Sequence, residues 1–280
     1  MARAIDFHIH PPAEPGRPSS VYDEQMQRYF RSGSRPRTAE EMAAKYEELD
    51  IFGVLLATNS ESARGEPAVR NDYVAAIARR YPDRFIAFGS VDPWQGKMAI
   101  KEAERCQELG LRGIKLLPMT QEFYPNDQRF YPLYQKIAQL GLLVMFHTGT
   151  TAVGAGLPGG GGIHLKYSNP MYVDDVAADF PELTIIMAHP AFPWQDEQLA
   201  ILVHKPNVYM DLSGWSPKYF APNLVQYANT LLQDKMLFGS DYPGLLPERW
   251  LGDFDNVPFR DEVRPKILLE NARRVLGLEL

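Results

Sequence analysis

Eight short apolar runs, each followed by a stretch with helical features, alternate along this chain. The runs cover residues 3–9, 50–58, 84–91, 112–118, 141–148, 183–189, 207–213 and 235–241. Most of them are almost continuously apolar, which is typical of strands that are covered on both faces of a parallel sheet. This alternation favours one of two folds, a (β/α)8 barrel or an open doubly wound sheet.

Helix-start signals lie between the runs. Thr38 is followed three residues later by Glu41, the spacing of a capping box, and Asn169 precedes Pro170, which suits a first helical position. Weaker helical patterns cover 66–81, 97–109, 130–140 and 260–277. No Gly-x-Gly-x-x-Gly turn follows the first run, as it would in a dinucleotide-binding sheet. We therefore predict an α/β fold, a (β/α)8 TIM barrel, formed as one domain by residues 1–280.

Composition sets the broad class. With 45% hydrophobic and 23% charged residues, the chain can build a large core. A net charge of −6 offers no electrostatic footprint for nucleic acid or an anionic membrane. Cys106 is the single cysteine, so intrachain disulfides and thiolate clusters are excluded. Neither a long apolar run nor a signal-peptide pattern is present, so we expect a cytoplasmic protein. The partner we expect is a small-molecule substrate, with no nucleic acid and no membrane.

Polar side chains recur at the ends of the runs, where a barrel builds its active site. They are His8 and His10 on run 1, Lys115 on run 4, His147 on run 5, His189 on run 6 and Asp241 on run 8. A single strand-end histidine is compatible with a hydrogen-bonded structural role. Several together, if buried without mutual satisfaction, would cost about 1–3 kcal/mol each. A shared metal ion would satisfy them, so the pattern predicts a metal site.

The first run carries two of these histidines, and its alternation predicts where they point. Ile5, Phe7 and Ile9 should face the helices, whereas His8 and His10 should face the barrel axis. Imidazole nitrogens with one carboxylate suit Zn²⁺, with Mn²⁺, Fe²⁺ or Co²⁺ as substitutes. Such an ion lowers the pKa of a bound water towards neutrality.

The same alternation places Asp6 on the inner face, one layer below the histidines. It is predicted either to support the histidine rings as an outer hydrogen-bond partner or to be a buried structural carboxylate.

Six motifs in this order resemble the amidohydrolase superfamily: DFHIHPP, GIKLLP, MFHTG, MAHPAFPW, YMDLSGW and LFGSDYP. The resemblance runs from residue 5 to about residue 275, and it is to the amidohydrolase-related branch with aminocarboxymuconate-semialdehyde decarboxylase and γ-resorcylate decarboxylase. It implies one divalent metal and a catalytic histidine, and members of this branch often form homodimers. The implied ligands are His8, His10, His147 and Asp241, with His189 as the catalytic histidine beside the metal.

The resemblance leaves two roles open for Lys115. Other amidohydrolases hold two metals with a carboxylated lysine on strand 4, and this chain has a candidate at each such position. In the one-metal branch, which the contexts of Lys115 and Asp241 favour, the lysine would neutralise a substrate carboxylate or form a structural pair.

Loops at the same face supply candidate pocket walls. Tryptophans and a tyrosine in the predicted loops either line an aromatic pocket or seal helices against the barrel; they are Trp94, Trp194, Trp215, Trp250 and Tyr242. The long segments 11–37, with a short helix capped by Ser20, and 149–168, which is glycine-rich and carries His164, are predicted lids. The glycine run lacks the Gly-Lys-Ser/Thr ending of a phosphate loop.

Two reactions stay open. In a hydrolase, metal-activated water would attack a lactone or amide of a small carboxylated or aromatic metabolite, while Asp241 takes a proton and His189 polarises the carbonyl. In a non-oxidative decarboxylase (carboxy-lyase), Asp241 or His189 would protonate the carbon of a small aromatic or unsaturated acid. The chain is shorter than typical decarboxylases of this branch, which favours hydrolysis. A purely structural zinc is disfavoured, because such sites are closed and often rich in thiolates.

Overall fold

The computed structural model of the protein describes residues 2–30 and 38–278. Within these ranges eight parallel strands follow one another in chain order around a single sheet. They are β1 Ala4–Ile9, β2 Ile51–Leu56, β3 Phe85–Ser90, β4 Gly113–Leu116, β5 Leu143–His147, β6 Ile185–Ala188, β7 Val208–Asp211 and β8 Met236–Leu237. Each strand lies inside one of the apolar runs, because both faces of a parallel strand in a barrel are covered and so require apolar side chains.

The last strand meets the first, which closes the barrel. The Phe7 amide donates to the Phe238 carbonyl at 2.8 Å, and the Asp241 amide donates to the His8 carbonyl at 2.9 Å. The His10 amide then donates to the Tyr242 carbonyl at 2.7 Å. The prediction of a (β/α)8 barrel is confirmed, and the open doubly wound sheet is wrong.

Helices cover the outside of the barrel. They are α1 Val21–Tyr29, α2 Ala39–Glu48, α3 Glu61–Arg64, α4 Asn71–Arg80, α5 Lys97–Glu108, α6 Pro118–Gln121, α7 Tyr131–Gln139, α8 Met171–Asp179, α9 Gln195–His204, α10 Pro222–Ala228, α11 Pro247–Phe254 and α12 Asn271–Leu276, with a π-helical turn at Lys266–Glu270. Two predicted caps are confirmed, since Ser20 and Thr38 accept from the third amide of α1 and α2 in complete capping boxes. The third differs, because α8 begins at Met171 with Pro170 as its N-cap, although the Asn169 side chain still accepts from the Met171 amide at 2.9 Å. In the described part of the chain, no helix has the length and apolarity to span a membrane.

Strand β1 contains a register shift that the residue pattern did not predict. Asp6 pairs with Gly53 of β2, but Ile9 pairs with Leu55, so two residues of β1 stand opposite one residue of β2. Such a bulge changes which face each following side chain takes, and bulges occur often beside active sites.

The predicted orientation of β1 is therefore wrong for the residues that precede His8. Ile5, predicted to face the helices, packs with Phe7 in the cluster that contains Phe88 and side chains of several other strands. Phe7 packs edge-on against Phe88 of β3, two strands away, at 5.8 Å between ring centroids, a contact available only inside the barrel. Asp6 instead accepts a hydrogen bond from the Tyr46 hydroxyl of α2 at 3.0 Å. Ile9 packs in the cluster that contains Tyr46, as predicted for a residue facing the helices. The bulge, rather than simple alternation, therefore determines which side chains of β1 face the barrel interior.

Asp6 is a buried structural carboxylate, the second of its two predicted roles. It accepts from the Ser240 amide at 2.8 Å and from the Ser240 hydroxyl at 2.5 Å, which joins β1 to the segment after β8. Burial raises the pKa of Asp6 to about 7, although the hydrogen bonds from Ser240 oppose this rise.

Candidate metal centre and active site

Barrel closure brings two histidines and an aspartate from opposite ends of the chain together. His8 and His10 stand at the end of β1, and Asp241 follows β8. Oδ1 of Asp241 lies 3.4 Å from Nε2 of His8 and 3.3 Å from Nε2 of His10. One ligand atom from each of the three lies within 4.8 Å of the others. We call these three residues the candidate metal centre.

Hydrogen bonding at His8 tests whether this centre suits a cation. Nδ1 of His8 lies 3.0 Å from Oδ2 of the buried Asp211, so Nδ1 carries a proton and donates it to the carboxylate. Burial, aided by the charge of Lys115, lowers the pKa of His8 well below its ordinary value, so the ring is neutral and has no second proton. Nε2 of His8 is therefore bare, yet it faces the Asp241 carboxylate. Two acceptors with no proton between them repel unless a cation joins them, so the donor set fits a divalent metal.

His147 and His189 lie next to each other beside this centre. Their ring centroids are 4.6 Å apart, and His189 also lies 4.7 Å from the ring of His8. Nε2 of His147 donates to the Thr150 carbonyl at 3.0 Å, which leaves Nδ1 without a proton in the neutral ring. Burial and the Lys115 charge lower the pKa of His147 to about 3.

The structure does not bring His147 into the compact group of possible ligands. Among the described residues, the groups with ligand atoms within 4.8 Å contain His8, His10 and Asp241, or His8, His189 and Asp211. Its assignment as a metal ligand stays a prediction.

A hydroxyl occupies the middle of that second group. Oγ of Ser213 lies 3.0 Å from Nδ1 of His8 and 2.7 Å from Nδ1 of His189, and it donates to Asp211. Because the hydroxyl already holds these atoms together, the group needs no second ion. Sequence reasoning missed Asp211 and Ser213, although their i, i+2 spacing at the end of β7 was an available signal.

Lys115 of β4 lies buried at the same end of the barrel. Its Nζ has no hydrogen-bond partner among the described residues, and the side chain is 1% exposed. Burial lowers the pKa of Lys115 to about 8, and the nearby charges of Asp211 and Asp241 limit the drop. A buried amine without a partner is costly, so the position favours a role towards a bound anion over a structural pair.

Backbone conformation singles out two of the site residues. His189 has φ 70° and Asp241 has φ 64°, both in the left-handed region that residues with a Cβ rarely adopt. Such conformations cost of order 1–3 kcal/mol and concentrate at functional sites. Gly214 is needed beside them, because a Cβ there would lie 2.8 Å from Nδ1 of His189.

Three of the predicted wall residues pack against neighbouring structural elements. Trp250 lies within α11, fully buried and stacked on Phe254, so its placement in a pocket loop is wrong. Tyr242 packs against Tyr46 in the hydrophobic core. Trp94 donates to the Gln121 carbonyl at 2.6 Å. Each of these rings seals an element against its neighbour.

The other wall candidates lie at the surface of the catalytic end. Trp194 and Trp215 are half-buried in the loops after β6 and β7. Trp215 lies 6.1 Å from the ring of Phe192, a largely exposed side chain that sequence reasoning did not single out. His164 is exposed and contacts Tyr167. An aromatic wall is therefore limited to the Phe192–Trp215 side.

The two segments predicted as lids pack against each other. Residues 31–37 of the first lie outside the described residues, but α1 within it contacts the segment after β5. Nε2 of Gln25 donates to the carbonyls of Ala152 and Ala155 at 3.1 and 2.7 Å, and its Oε1 accepts from the Gly154 amide at 3.0 Å. One buried side chain thus joins both segments.

Gln25→Ala should loosen this junction. Losing hydrogen bonds worth about 1 kcal/mol net should raise amide exchange in 150–163 by about fivefold to tenfold. Hydrogen exchange followed by mass spectrometry would measure it. The control is Glu24→Ala, because Glu24 is exposed and pairs with Arg28 on its own helix. Equal protection in both variants would contradict the joint role of Gln25.

A cavity of about 600 Å³ lies elsewhere, between the first segment and helices α4 and α5. Arg70 on its wall pairs with Glu14, and Arg105 pairs with Asp72 and Glu102. The charges of these arginines are already balanced by carboxylates. The strand ends, with the buried amine of Lys115 and the bare Nε2 of His8, are therefore the better candidate site.

Known proteins resemble this chain over nearly its full length. The family model for amidohydrolases matches residues 5–278. An uncharacterised TIM-barrel protein from Bordetella bronchiseptica is 30% identical, with 98% of each chain covered and a TM-score of 0.81.

Two solved enzymes share the fold at lower identity. A 5-carboxyvanillate decarboxylase from Novosphingobium aromaticivorans with bound manganese is 17% identical, with 98% of this chain and 97% of that chain covered and a TM-score of 0.66. A probable 2-pyrone-4,6-dicarboxylic acid hydrolase from Acinetobacter baumannii with citric acid bound is 16% identical, with 99% and 100% covered and a TM-score of 0.65.

Proposed function

The chain belongs to the amidohydrolase family, and from that premise we propose that it is a divalent-metal-dependent hydrolase of a small carboxylated lactone or amide. The observation that carries the proposal is the convergence of His8 Nε2, His10 Nε2 and an Asp241 oxygen with no proton available between His8 and the carboxylate. A cation between these acceptors would relieve their repulsion, and the group lies at the end of the barrel where this fold builds its active sites.

His8, His10 and Asp241 would hold the metal, and we propose His147 through its bare Nδ1 as the fourth ligand. Zn²⁺ suits this donor set best, with Mn²⁺, Fe²⁺ and Co²⁺ as alternatives, and manganese is bound in the decarboxylase of similar fold. When bound, such an ion lowers the pKa of a water and stabilises negative charge on a carbonyl oxygen.

The remaining side chains would position the substrate and move its protons. Asp241 is partly exposed, at 18%, so one of its oxygens can accept a proton from the attacking water. His189, which lies against both His8 and His147, would contact the reacting centre. The Lys115 ammonium would pair with a carboxylate of the substrate that does not react, and the aromatic pair Phe192 and Trp215 would contact its apolar part.

The position of Lys115 favours hydrolysis over decarboxylation. An ammonium paired with a carboxylate stabilises that charge in the ground state, which raises the barrier if the same group must leave as neutral CO₂. A carboxylate that stays on the substrate gains binding without this penalty. Non-oxidative decarboxylation of an aromatic acid is the second candidate, and the similarity in fold to a 5-carboxyvanillate decarboxylase favours it.

A substrate panel separates the two reactions. Purified protein loaded with Zn²⁺ or Mn²⁺ would be incubated with carboxylated lactones, amides and hydroxylated aromatic acids, while acid release and CO₂ release are followed together. Hydrolysis predicts acid release without CO₂, with about one metal equivalent per chain by elemental analysis. CO₂ release would establish the second candidate, and about two equivalents would contradict the single-metal centre.

A further inference from the structure

Two buried residues at the end of β7 take no direct part in the proposed chemistry. Asp211 and Ser213 are both fully buried; Asp211 contacts Nδ1 of His8, and Ser213 contacts Nδ1 of His189. Asp211 accepts four hydrogen bonds: from the amides of Ser213 at 3.0 Å and His189 at 3.3 Å, from the Ser213 hydroxyl, and from Nδ1 of His8 at 3.0 Å.

The positions of the protons follow from these contacts. The Ser213 hydroxyl has one proton, and because an ionised carboxylate can only accept, this proton goes to Oδ1 of Asp211. The hydroxyl must therefore accept from Nδ1 of His189, 2.7 Å away. Nδ1 of His8 donates to the other carboxylate oxygen. Each contact then joins one donor to one acceptor, and both rings carry their proton on Nδ1.

We propose that Asp211 and Ser213 are positioning residues that fix the protons of His8 and His189 on Nδ1 and so present two bare Nε2 atoms to the active site. His8 would use its bare nitrogen towards the metal, and His189 would use its own towards the substrate or water. The proton positions do not depend on the proposed function, whereas the effect on turnover rests on it.

This arrangement changes the role of His189. A ring with a bare Nε2 accepts a proton, so His189 would first act as an acceptor and could not polarise a carbonyl by donation until it is protonated. Four donors point at the two oxygens of Asp211, so this position requires a group whose two ends both accept. An asparagine would replace an accepting oxygen with an amide donor, which would face either the His8 ring or the Ser213 hydroxyl.

Protein labelled with ¹⁵N-histidine would report the tautomers directly in two-bond ¹H–¹⁵N spectra, recorded metal-free and with Zn²⁺. The signals would be assigned by their loss in His8→Asn and His189→Asn. We expect Nδ1–H rings for both residues in the unaltered protein. Ser213→Ala should move His189 towards the Nε2–H form, leave His8 and the metal content unchanged, and lower kcat by about 10- to 100-fold. Asp211→Asn should disturb both rings and lower metal occupancy.

Ser90→Ala is the matched control, because it removes a buried hydroxyl at the same end of the barrel that donates to the Lys115 carbonyl. It should leave both tautomers as they are. An Nε2–H ring at His189 in the unaltered protein would overturn the proposal, and so would Ser213→Ala with an unchanged His189 tautomer. If no substrate is turned over, the tautomer shifts still test the positioning role and the proposed function fails alone.

Discussion

Asp241→Ala is expected to empty the metal centre and to lower kcat by at least about 10³-fold. The carboxylate is the shared partner of Nε2 of His8 and Nε2 of His10. Without it, only histidine nitrogens remain in the proposed ligand set, and the charge that balances a divalent ion is gone. The same change removes the proposed acceptor for a proton of the attacking water. Elemental analysis and steady-state kinetics would measure the two effects.

Asp241→Asn separates chemistry from backbone strain. Asp241 has φ 64°, a conformation that asparagine tolerates and alanine does not. The asparagine variant should therefore fold as well as the unaltered protein and still bind metal weakly. Asp261→Ala, at an exposed carboxylate, should change neither metal content nor kcat. Full metal equivalents in both Asp241 variants would refute the assignment of this ligand.

Lys115→Met should have two effects of opposite sign. It should lower kcat/KM for a carboxylated substrate by about 10³-fold, because a buried partner of the carboxylate is lost. An uncharged analogue of the same substrate should lose far less. In the metal-free protein the same change should stabilise the fold, because methionine fills the space without a buried charge.

The stability effect has a defined pH dependence. Burial lowers the pKa of Lys115 from 10.5 to about 8, so the unfolded chain holds this proton more tightly than the folded one. The penalty is fully present below pH 8, where it amounts to about 3 kcal/mol, and it disappears as the pH rises to 10.5. The advantage of Lys115→Met in chemical unfolding should therefore shrink across this window. Lys101→Met, at an exposed position, should show no such trend. A constant difference would contradict an unpaired buried amine.

Local patterns predicted most of the barrel correctly. The strands lie within the apolar runs, and the capping boxes at Ser20 and Thr38 begin helices, because burial on both faces and helix capping depend on residues a few positions apart. The same reasoning failed for Phe7 and Asp6. Strict alternation assumes an uninterrupted ladder, and the bulge between Asp6 and Ile9 depends on the partner strand.

Residue type alone also misjudged side chains whose surroundings come from distant elements. Trp250 followed the last strand and was expected in a pocket loop, yet α11 buries it against Phe254 and Phe238. The spacing of Asp211 and Ser213 was visible in the sequence, but it did not indicate which side chains the two residues contact. The role of Asp211 depends on His8, 203 residues away along the chain.

What the amino-acid sequence determined by itself was the repeating strand–helix order and the chemistry at the strand ends, because both are written in short-range spacing. Only the tertiary structure decided that Asp241 reaches His8 and His10, and that Nζ of Lys115 has no hydrogen-bond partner among the described residues. It also placed a serine hydroxyl between Nδ1 of His189 and Nδ1 of His8. These contacts require β8 to close on β1 in one particular register. Closure of the barrel is a property of all the strands together, and no local segment encodes it.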